Sequence, residues 1–386
     1  MKKKCGLING KIILEDSVVE NKVIFFDEKI IAILDMKEID NCNDVELIDV
    51  KGKYIAPGFI DIHIHGAGGS DTMDANIESI KNIASTIAQT GVTGFLPTTV
   101  TMDRQNIDKA LKIVRESMEE LETWQGAKVL GAHMEGPFIN EKYKGAQNAK
   151  YIIKPNFEFI ENHLDIIKII TLAPEMDVGH EFLYELKKLN SITPSIGHSN
   201  ATYDEAVKAI EKGIKHVTHL FNTMTPMLHR EPGIVGAALK SNITCELIAD
   251  KIHVHPAIFQ ILIDIIGVEN LVLITDSIRA GCMKEGIYEL GGQSVMVKNG
   301  SARLEDNTLA GSVLTLNVAV KNMIENTNIK LHEAIRLATQ NPAKVIGIDK
   351  SKGTLSIGKD ADITVFDQNL NIYLTVVEGN IVFDMI

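Results

Sequence analysis

Residues Ala56 to Gly69 read APGFIDIHIHGAGG, and the pattern of predicted secondary structure changes at this stretch. Before it, from Leu7 to about Tyr54, short β-like runs alternate with polar turns, which is typical of hairpins. After it, apolar runs are each followed by a segment long enough for a helix. Within the stretch, His63 and His65 stand two apart, so a β-strand would point both rings to the same side.

The repeated pairing of a strand with a helix predicts a (β/α)8 barrel of the TIM type. The eight candidate strands are FIDIHIH, GVTGFLPTT, KVLGAHMEG, IIKIITLAPE, SITPSIGHS, HVTHLFN, CELIAD and LVLITDS. The amphipathic runs DANIESIKNIASTIAQT and ATYDEAVKAIEKG are the clearest helices. A doubly wound parallel sheet is the alternative, because strands are hard to count from one sequence.

The end of the chain has the same hairpin-like sequence pattern as its beginning. The stretch GTLSIGKDADITVFDQNLNIYLTVVEGNIVFD alternates short β-like runs with polar turns. We therefore predict that residues 1–55 and 355–386 form one small β-sandwich domain. Residues 56–354 are then expected to form the barrel.

Composition limits the classes of function. With 386 residues, 45% of them hydrophobic, the chain can bury a sizeable core. A net charge of −12 argues against general binding to nucleic acid or an anionic membrane, since both need a basic surface. The four cysteines, Cys5, Cys42, Cys245 and Cys282, form no CxxC pair, which favours reduced thiols in a cytoplasm. Because no 18-residue apolar run is present, we expect a soluble protein.

Unusual polar residues fall at the predicted strand ends, where the active site of a barrel forms. They are His63 and His65 after the first strand, Glu135 after the third, His198 after the fifth, His219 after the sixth and Asp276 after the eighth. Imidazole and carboxylate are ligands that zinc and iron accept. The set therefore suits one or two divalent metal ions.

Each residue alone also has a structural interpretation. A single histidine at a strand end is more often a hydrogen-bonded structural residue than a ligand. Glu135 could cap a helix or bind a loop amide, and Asp276 could cap the following helix. Their coincidence at matching positions of successive strands favours the metal site.

Ordered motifs carry a resemblance to a known family. HIHG after a first strand, with a late TD, resembles the amidohydrolase superfamily. HMEGPF, GHSNA, THLFNTM, HREPGIVGAAL and LAGS, in this order, resemble the family of N-acetylglucosamine-6-phosphate deacetylases. The resemblance runs over nearly the whole chain, including the split β domain. It implies hydrolysis of N-acetyl-D-glucosamine 6-phosphate to D-glucosamine 6-phosphate and acetate, a step of amino-sugar metabolism.

The resemblance also implies roles in catalysis and metal binding. The corresponding metal ligands are Glu135, His198 and His219, which the family shares, and His63 and His65, which complete a second metal position in members that have them. Asp276 corresponds to the catalytic acid and base. The fourth strand ends in TLAPE, without the lysine that bridges two metals in some superfamily relatives, so Glu135 is the predicted bridge.

Further segments resemble the family's substrate contacts. Arg230, beside His229 in LHREPG, corresponds to an arginine that reaches the phosphate in the neighbouring subunit, which implies a homodimer. His253 corresponds to a histidine that contacts the substrate. The other corresponding residues are Ala146, Asn222, Thr223, Leu309, Ala310, Gly311 and Ser312.

Amide hydrolysis accounts for this set of residues. A metal ion can lower the pKa of its bound water to about 7 and so supply hydroxide. We expect Asp276 to take a proton from that water as it attacks, and then to donate one to the leaving amine.

Two other functions stay open, namely another metal-dependent amidohydrolase, such as a cyclic-amide hydrolase or an N-acyl-amino-acid deacylase, and a non-catalytic scaffold. HREPG together with LAGS argues against the first, and the intact ligand set with Asp276 against the second. The chain departs from the family's pattern at FNTM, at Asp250-Lys251 and at TDS. None of these departures removes a predicted ligand or Asp276, and Lys251 is expected to point to solvent.

Overall fold

A computed structural model describes residues 4–41, 45–119 and 125–386. The described strands are, in chain order, β1 (Cys5–Ile8), β2 (Lys11–Ile13), β3 (Val18–Val19), β4 (Lys22–Phe26), β5 (Ile30–Asp35), β6 (Glu46–Asp49), β7 (Tyr54–Pro57), β8 (Phe59–Ile64), β9 (Gly66–Ala67), β10 (Ser70–Asp71), β11 (Val92–Thr99), β12 (Lys128–Val129), β13 (Ala132–Glu135), β14 (Ile167–Leu172), β15 (Thr193–Ile196), β16 (His216–Val217), β17 (Thr244–Ile248), β18 (Leu271–Ile274), β19 (Gly286–Leu290), β20 (Gln293–Lys298), β21 (Ser301–Arg303), β22 (Ile363–Phe366), β23 (Ile372–Val377) and β24 (Asn380–Asp384). The α-helices are α1 (Ile77–Ala88), α2 (Arg104–Glu119), α3 (Phe157–Ile160), α4 (Glu181–Leu189), α5 (Tyr203–Lys212), α6 (Gly233–Lys240), α7 (Ala257–Ile266), α8 (Leu316–Asn326), α9 (Leu331–Leu337) and α10 (Gln340–Val345).

The predicted barrel is confirmed. Strands β8, β11 and β13 to β18 pair in parallel in that order, and the third predicted strand is made of the short pieces β12 and β13. The last strand returns to the first, because the amide of Asp276 donates to the carbonyl of His63 at 2.8 Å and the amide of His65 donates to the carbonyl of Ser277 at 2.8 Å. This return closes the sheet and excludes a doubly wound one.

Burial explains why the strands read as apolar runs. Every residue of β8 and β11 is buried, as expected for parallel strands that are covered on both faces. The outer helices present one apolar face each, as α1 does with Ile80, Ile83 and Ile87. The two predicted helices are α1 and α5, and α5 begins with a capping box between Thr202 and Glu205.

Strands from the two chain ends form two small sheets beside the barrel. One sheet has the order β5-β4-β1-β6, and the other β24-β23-β22-β7-β2-β3. The two ends meet directly, because β7 pairs antiparallel with β22. Residues of both sheets share one core, which includes Leu7, Phe26, Ile55 and Val365. A split at 55/56 and 354/355 into a β-sandwich and a barrel is our proposed domain division.

A further small sheet, β19 to β21, lies between the last barrel strand and α8 and was not predicted from the sequence. It packs on a separate apolar cluster that includes Val100, Ile278 and Ala310. Its strands are short and half-exposed, so they carry little apolar signal. Among the described residues, no helix combines the length and the apolar character needed to cross a bilayer.

Candidate metal centre and catalytic site

Barrel strand ends position the predicted site residues by a repeated turn. His198, His219 and Asp276 each lie two residues beyond the end of a strand. Each has a left-handed backbone, with φ of 48°, 32° and 49° respectively. This conformation costs a non-glycine residue about 1–3 kcal/mol and is concentrated at functional sites. The shared turn explains how separate strand ends present their side chains to one space.

The carboxylate of Glu135 faces the Nε2 atoms of four imidazoles. Its Oε1 lies 3.0 Å from the Nε2 atoms of both His198 and His219. The same oxygen lies 3.5 Å from the Nε2 of His63, and Oε2 lies 3.3 Å from the Nε2 of His65. Two ligand groups thus share Glu135, one with His63 and His65 and one with His198 and His219.

Ring orientation in this cluster suits a bound cation. The Nδ1 of His65 donates to the carbonyl of Thr98 at 3.2 Å, and the Nδ1 of His198 donates to that of Tyr143 at 3.0 Å. Since a carbonyl only accepts, the neutral rings keep their lone pairs on Nε2, facing Glu135. The Nε2 of His63 is buried without a hydrogen-bond partner, which is costly unless a cation satisfies it. The donor set therefore fits a divalent metal.

The electrostatics of the cluster also favour positive charge. Burial opposes ionisation of Glu135, but the imidazoles of His63 and His198 outweigh it and hold the pKa of the carboxyl well below its usual range. Burial likewise opposes a charged His65, but hydrogen bonds to Asp276 and Glu135 raise the pKa of its imidazole to about 10. Ionised carboxylates thus surround a point where a cation is stabilised.

Asp276 lies beside the ligand cluster and reaches the cavity. Its Oδ1 lies 3.2 Å from the Nε2 of His65 and 3.6 Å from the Nε2 of His63. Burial opposes its ionisation, but the two imidazoles lower the pKa of the carboxyl overall. Behind it, Thr275 donates its hydroxyl to the buried Asp61 at 2.6 Å, which anchors the turn to β8. An ionised carboxylate held in this way can accept a proton.

A cavity of about 370 Å³ adjoins the cluster. The predicted site residues that line it are His65, Glu135, Ala146, His198, His219, Asn222, Thr223, His253, Asp276, Leu309 and Gly311. His253 is oriented by Asp250, whose Oδ2 accepts from its Nδ1 at 2.7 Å. His63 lies beneath this surface and is fully buried.

Gly311, in the LAGS segment, lies close to the turn that carries Asp276. Its φ is +58°, and a Cβ at this position would lie 2.9 Å from the carbonyl oxygen of Asp276 and 2.6 Å from a methyl carbon of Ile278. A side chain would therefore displace the backbone that carries Asp276.

Several predicted residues do not line the cavity. Arg230 is exposed on the loop after β16 and is not among the residues that line the cavity. Ala310 and Ser312 are buried, and the Ser312 hydroxyl donates to the carbonyl of Thr275 at 2.5 Å. Substrate contact by these three residues stays a prediction. The Nζ of Lys251 lies 4.0 Å from a carboxylate oxygen of Glu325 and its side chain is 43% exposed, so it lies on the surface as predicted.

Three further residues at the site were not predicted from the sequence. Gln147 donates to the Oε2 of Glu135 at 2.8 Å, one position beyond the predicted Ala146. Arg303 lines the cavity from the unanticipated sheet. Glu246 lies fully buried beneath the cluster. Only Glu246 carried a signal, because it is a carboxylate between apolar residues in CELIA.

Comparisons with known proteins agree on one family. Residues 54–382 match the model of the amidohydrolase family. The chain is 39% identical over 378 residues to N-acetylglucosamine-6-phosphate deacetylase of Bacillus subtilis, covering 96% of this chain and 95% of that protein. It is 34% identical over 342 residues to N-acetylgalactosamine-6-phosphate deacetylase of Escherichia coli, covering 87% and 90%.

A solved structure supports the same conclusion at the level of fold. The crystal structure of N-acetylglucosamine-6-phosphate deacetylase from Pasteurella multocida superimposes with a TM-score of 0.93 at 32% identity. The match covers 98% of this chain and 99% of that one, so the small sheets are included as well as the barrel.

Proposed function

The chain belongs to the amidohydrolase family, and from this premise we propose that it removes the acetyl group of N-acetyl-D-glucosamine 6-phosphate. The products are D-glucosamine 6-phosphate and acetate. The observation that carries the proposal is the convergence of four imidazoles on the carboxylate of Glu135, with Asp276 beside them, at the wall of one cavity. Such a site can activate water, polarise an amide carbonyl and protonate an amine, which are the needs of amide hydrolysis.

Two adjacent ligand sets hold the metal in this proposal. A first ion would be held by Glu135 with His198 and His219, and a second by Glu135 with His63 and His65. Bound there, zinc or ferrous iron would supply Lewis acidity, lowering the pKa of a water ligand and polarising the acetyl carbonyl. Gln147 keeps Glu135 in place through its amide nitrogen, 2.8 Å from Oε2.

The chain's own residues move the protons. Asp276, ionised in the resting site, accepts a proton from the attacking water and returns it to the departing amine. His253, fixed through Nδ1 by Asp250, lines the cavity with a neutral ring whose Nε2 can accept a hydrogen bond from a sugar hydroxyl. Asn222 and Thr223 line the same cavity and offer polar contacts to the sugar.

A direct assay tests the substrate class. Purified protein loaded with zinc or iron is incubated with N-acetyl-D-glucosamine 6-phosphate, and the free amine is measured. We expect a kcat/KM about tenfold to a hundredfold higher than for the unphosphorylated sugar, since hydrogen bonds to a charged group contribute about 1.5–3 kcal/mol each. N-Acetyl-D-galactosamine 6-phosphate is assayed as an alternative substrate, because one relative is named N-acetylgalactosamine-6-phosphate deacetylase. Equal rates with and without phosphate would contradict phosphate recognition.

The assembly in this proposal is a homodimer in which Arg230 completes the neighbouring cavity. Arg230 is exposed on a loop whose Met227 and Leu228 are 57% and 52% exposed, an apolar surface that a second subunit would cover. Arg303 is the arginine that lines the cavity from within the same chain. Arg230 would therefore bind the phosphate in the neighbouring subunit, whereas Arg303 would bind it within its own subunit.

Complementation between variants distinguishes the two modes. Arg230→Ala should raise KM for the phosphorylated sugar about tenfold to a hundredfold, through loss of charge-assisted hydrogen bonds. Co-expression with Asp276→Asn chains should restore a low-KM fraction, since a mixed dimer pairs one intact Asp276 with one intact Arg230. If no such fraction forms and Arg303→Ala raises KM instead, the phosphate binds within one chain.

The compartment in this proposal is the cytoplasm. Cys245 and Cys282 are both thiols rather than disulfide partners, as a reducing compartment requires. Cys42, predicted to be reduced, lies outside the described residues.

A further inference from the structure

Glu246 is a buried carboxylate that the proposed mechanism does not use. It lies on β17 in the barrel interior and has no exposed surface. Three donors from histidine-bearing segments meet it, and no lysine or arginine among the described residues forms an ion pair with it. Its Oε2 accepts from the Nδ1 of His63 at 2.9 Å and from the amide of His219 at 3.0 Å, and its Oε1 faces the Nε2 of His216 at 3.2 Å. A buried carboxylate is tolerated only with such a set of partners.

The hydrogen bond to His63 decides which ring nitrogen is free. An ionised carboxylate only accepts, so the Nδ1 of His63 carries the hydrogen and Nε2 keeps the lone pair. That Nε2 points into the cluster, 3.5 Å from Oε1 of Glu135 and 3.6 Å from Oδ1 of Asp276. His65 achieves the same tautomer with a backbone carbonyl, whereas His63 depends on a side chain from another strand.

Glu246, His63 and His133 are close enough to suggest a separate metal site deeper in the barrel. His133 excludes this reading, because both of its ring nitrogens are already engaged. Its Nδ1 donates to the carbonyl of Ile62 at 3.0 Å, so its Nε2 accepts from the hydroxyl of Thr171 at 2.7 Å. No lone pair of His133 is left for a cation. The group is a hydrogen-bonded layer beneath the cluster.

We propose that Glu246 is a positioning residue for the second metal position, acting by holding His63 in the tautomer and orientation that ligate through Nε2. Carboxylates behind ligating histidines change metal affinity about 10- to 100-fold when they are removed. The inference rests on the two-ion part of the proposed function and is independent of which amide is hydrolysed. Its consequence is that the number of ions held per chain depends on a residue that touches neither ion nor substrate.

Metal titration of the apo-protein tests the proposal without an activity assay. Chelated wild-type protein, Glu246→Gln and His63→Asn are titrated with Co²⁺, and bound metal is counted by elemental analysis while the visible absorption is followed. Wild-type protein should bind two ions. Glu246→Gln should bind the first with affinity within about threefold of wild type and the second about 10- to 100-fold more weakly.

A double variant supplies the control for direct action on His63. Once His63→Asn has removed the second position, adding Glu246→Gln should change first-site affinity by less than about threefold. Circular dichroism and the Tm show that each variant is folded. If Glu246→Gln does not fold, Glu246→Asp replaces it, since the shorter side chain withdraws the carboxylate from His63, and the same loss is expected.

Three results would overturn the proposal. The first is a Glu246→Gln protein that binds both ions with wild-type affinity, and the second is one that loses both ions equally. The third is a wild-type protein that binds a single ion. In that last case deacetylation of the amino-sugar phosphate would still be measurable, so failure of this inference is distinguishable from failure of the proposed reaction.

Discussion

Replacement of Asp276 by Asn should lower kcat by about three orders of magnitude while both metal ions are retained. General acid and base catalysis contributes about 10²- to 10⁴-fold, and the amide can neither accept the proton of the attacking water nor return it to the amine. Asparagine is the informative substitution because it tolerates the left-handed backbone, φ +49°, that places this side chain. The fold and the ligand cluster should therefore be unchanged.

Steady-state kinetics with elemental analysis on the same sample check this expectation. Asp264→Asn is the matched control, since it makes the same change on the exposed face of α7 and should leave kcat within twofold of wild type. Loss of metal together with activity would show that Asp276 is a ligand. Retention of kcat would place the base elsewhere, with His253 the next residue to test.

Glu135→Gln should remove metal from both positions and lower kcat by at least a thousandfold. The Glu135 carboxylate contacts the imidazoles of both ligand groups, so one substitution weakens two sites. An amide also carries no charge to offset a divalent ion, and it presents a donor nitrogen where a lone pair is required. We expect less than about a tenth of the wild-type metal content after dialysis. Removing a residue that only hydrogen-bonds to a ligand lowers metal affinity by at least about tenfold, and removing a charged ligand itself should lower it further.

Exposed Glu141, six residues further along the chain, provides the control for the same chemical change. Glu141→Gln should keep two ions and full activity. A Glu135→Gln protein that loses one ion and keeps the other would contradict bridging and assign Glu135 to a single position. Retention of both ions would show that the imidazoles alone hold the metal.

The barrel was predictable because its evidence is local. Parallel strands that are buried on both faces are rich in apolar residues, as β8 and β11 are, and amphipathic helices cover them. Since all strands of such a barrel end at the same mouth, polar residues at those ends could be assigned to one site without knowledge of any contact. Strand ends that are distant in the chain, such as those carrying His63 and Asp276, therefore became candidate neighbours.

Residues whose role depends on a contact from another element escaped sequence analysis. Gln147 acts through Glu135, and Glu246 through a histidine more than 180 positions away in the chain. Arg303 enters the cavity from a small sheet whose half-exposed strands lack an apolar pattern. In each case the neighbouring sequence does not indicate a role for the residue. The role follows only from the group or cavity that the residue contacts in the folded chain.

By itself, therefore, the sequence determined the barrel and the family, and it indicated which imidazole and carboxylate groups are candidate ligands, because periodicity and motif order are properties of neighbouring residues. Tertiary structure alone decided that Glu135 meets all four imidazoles, that Arg230 lies outside its own chain's cavity, and that a buried carboxylate orients His63. Such contacts form when distant strands are packed side by side. The distances and hydrogen-bond directions of these contacts follow from the packing of the strands, which the local sequence pattern does not specify.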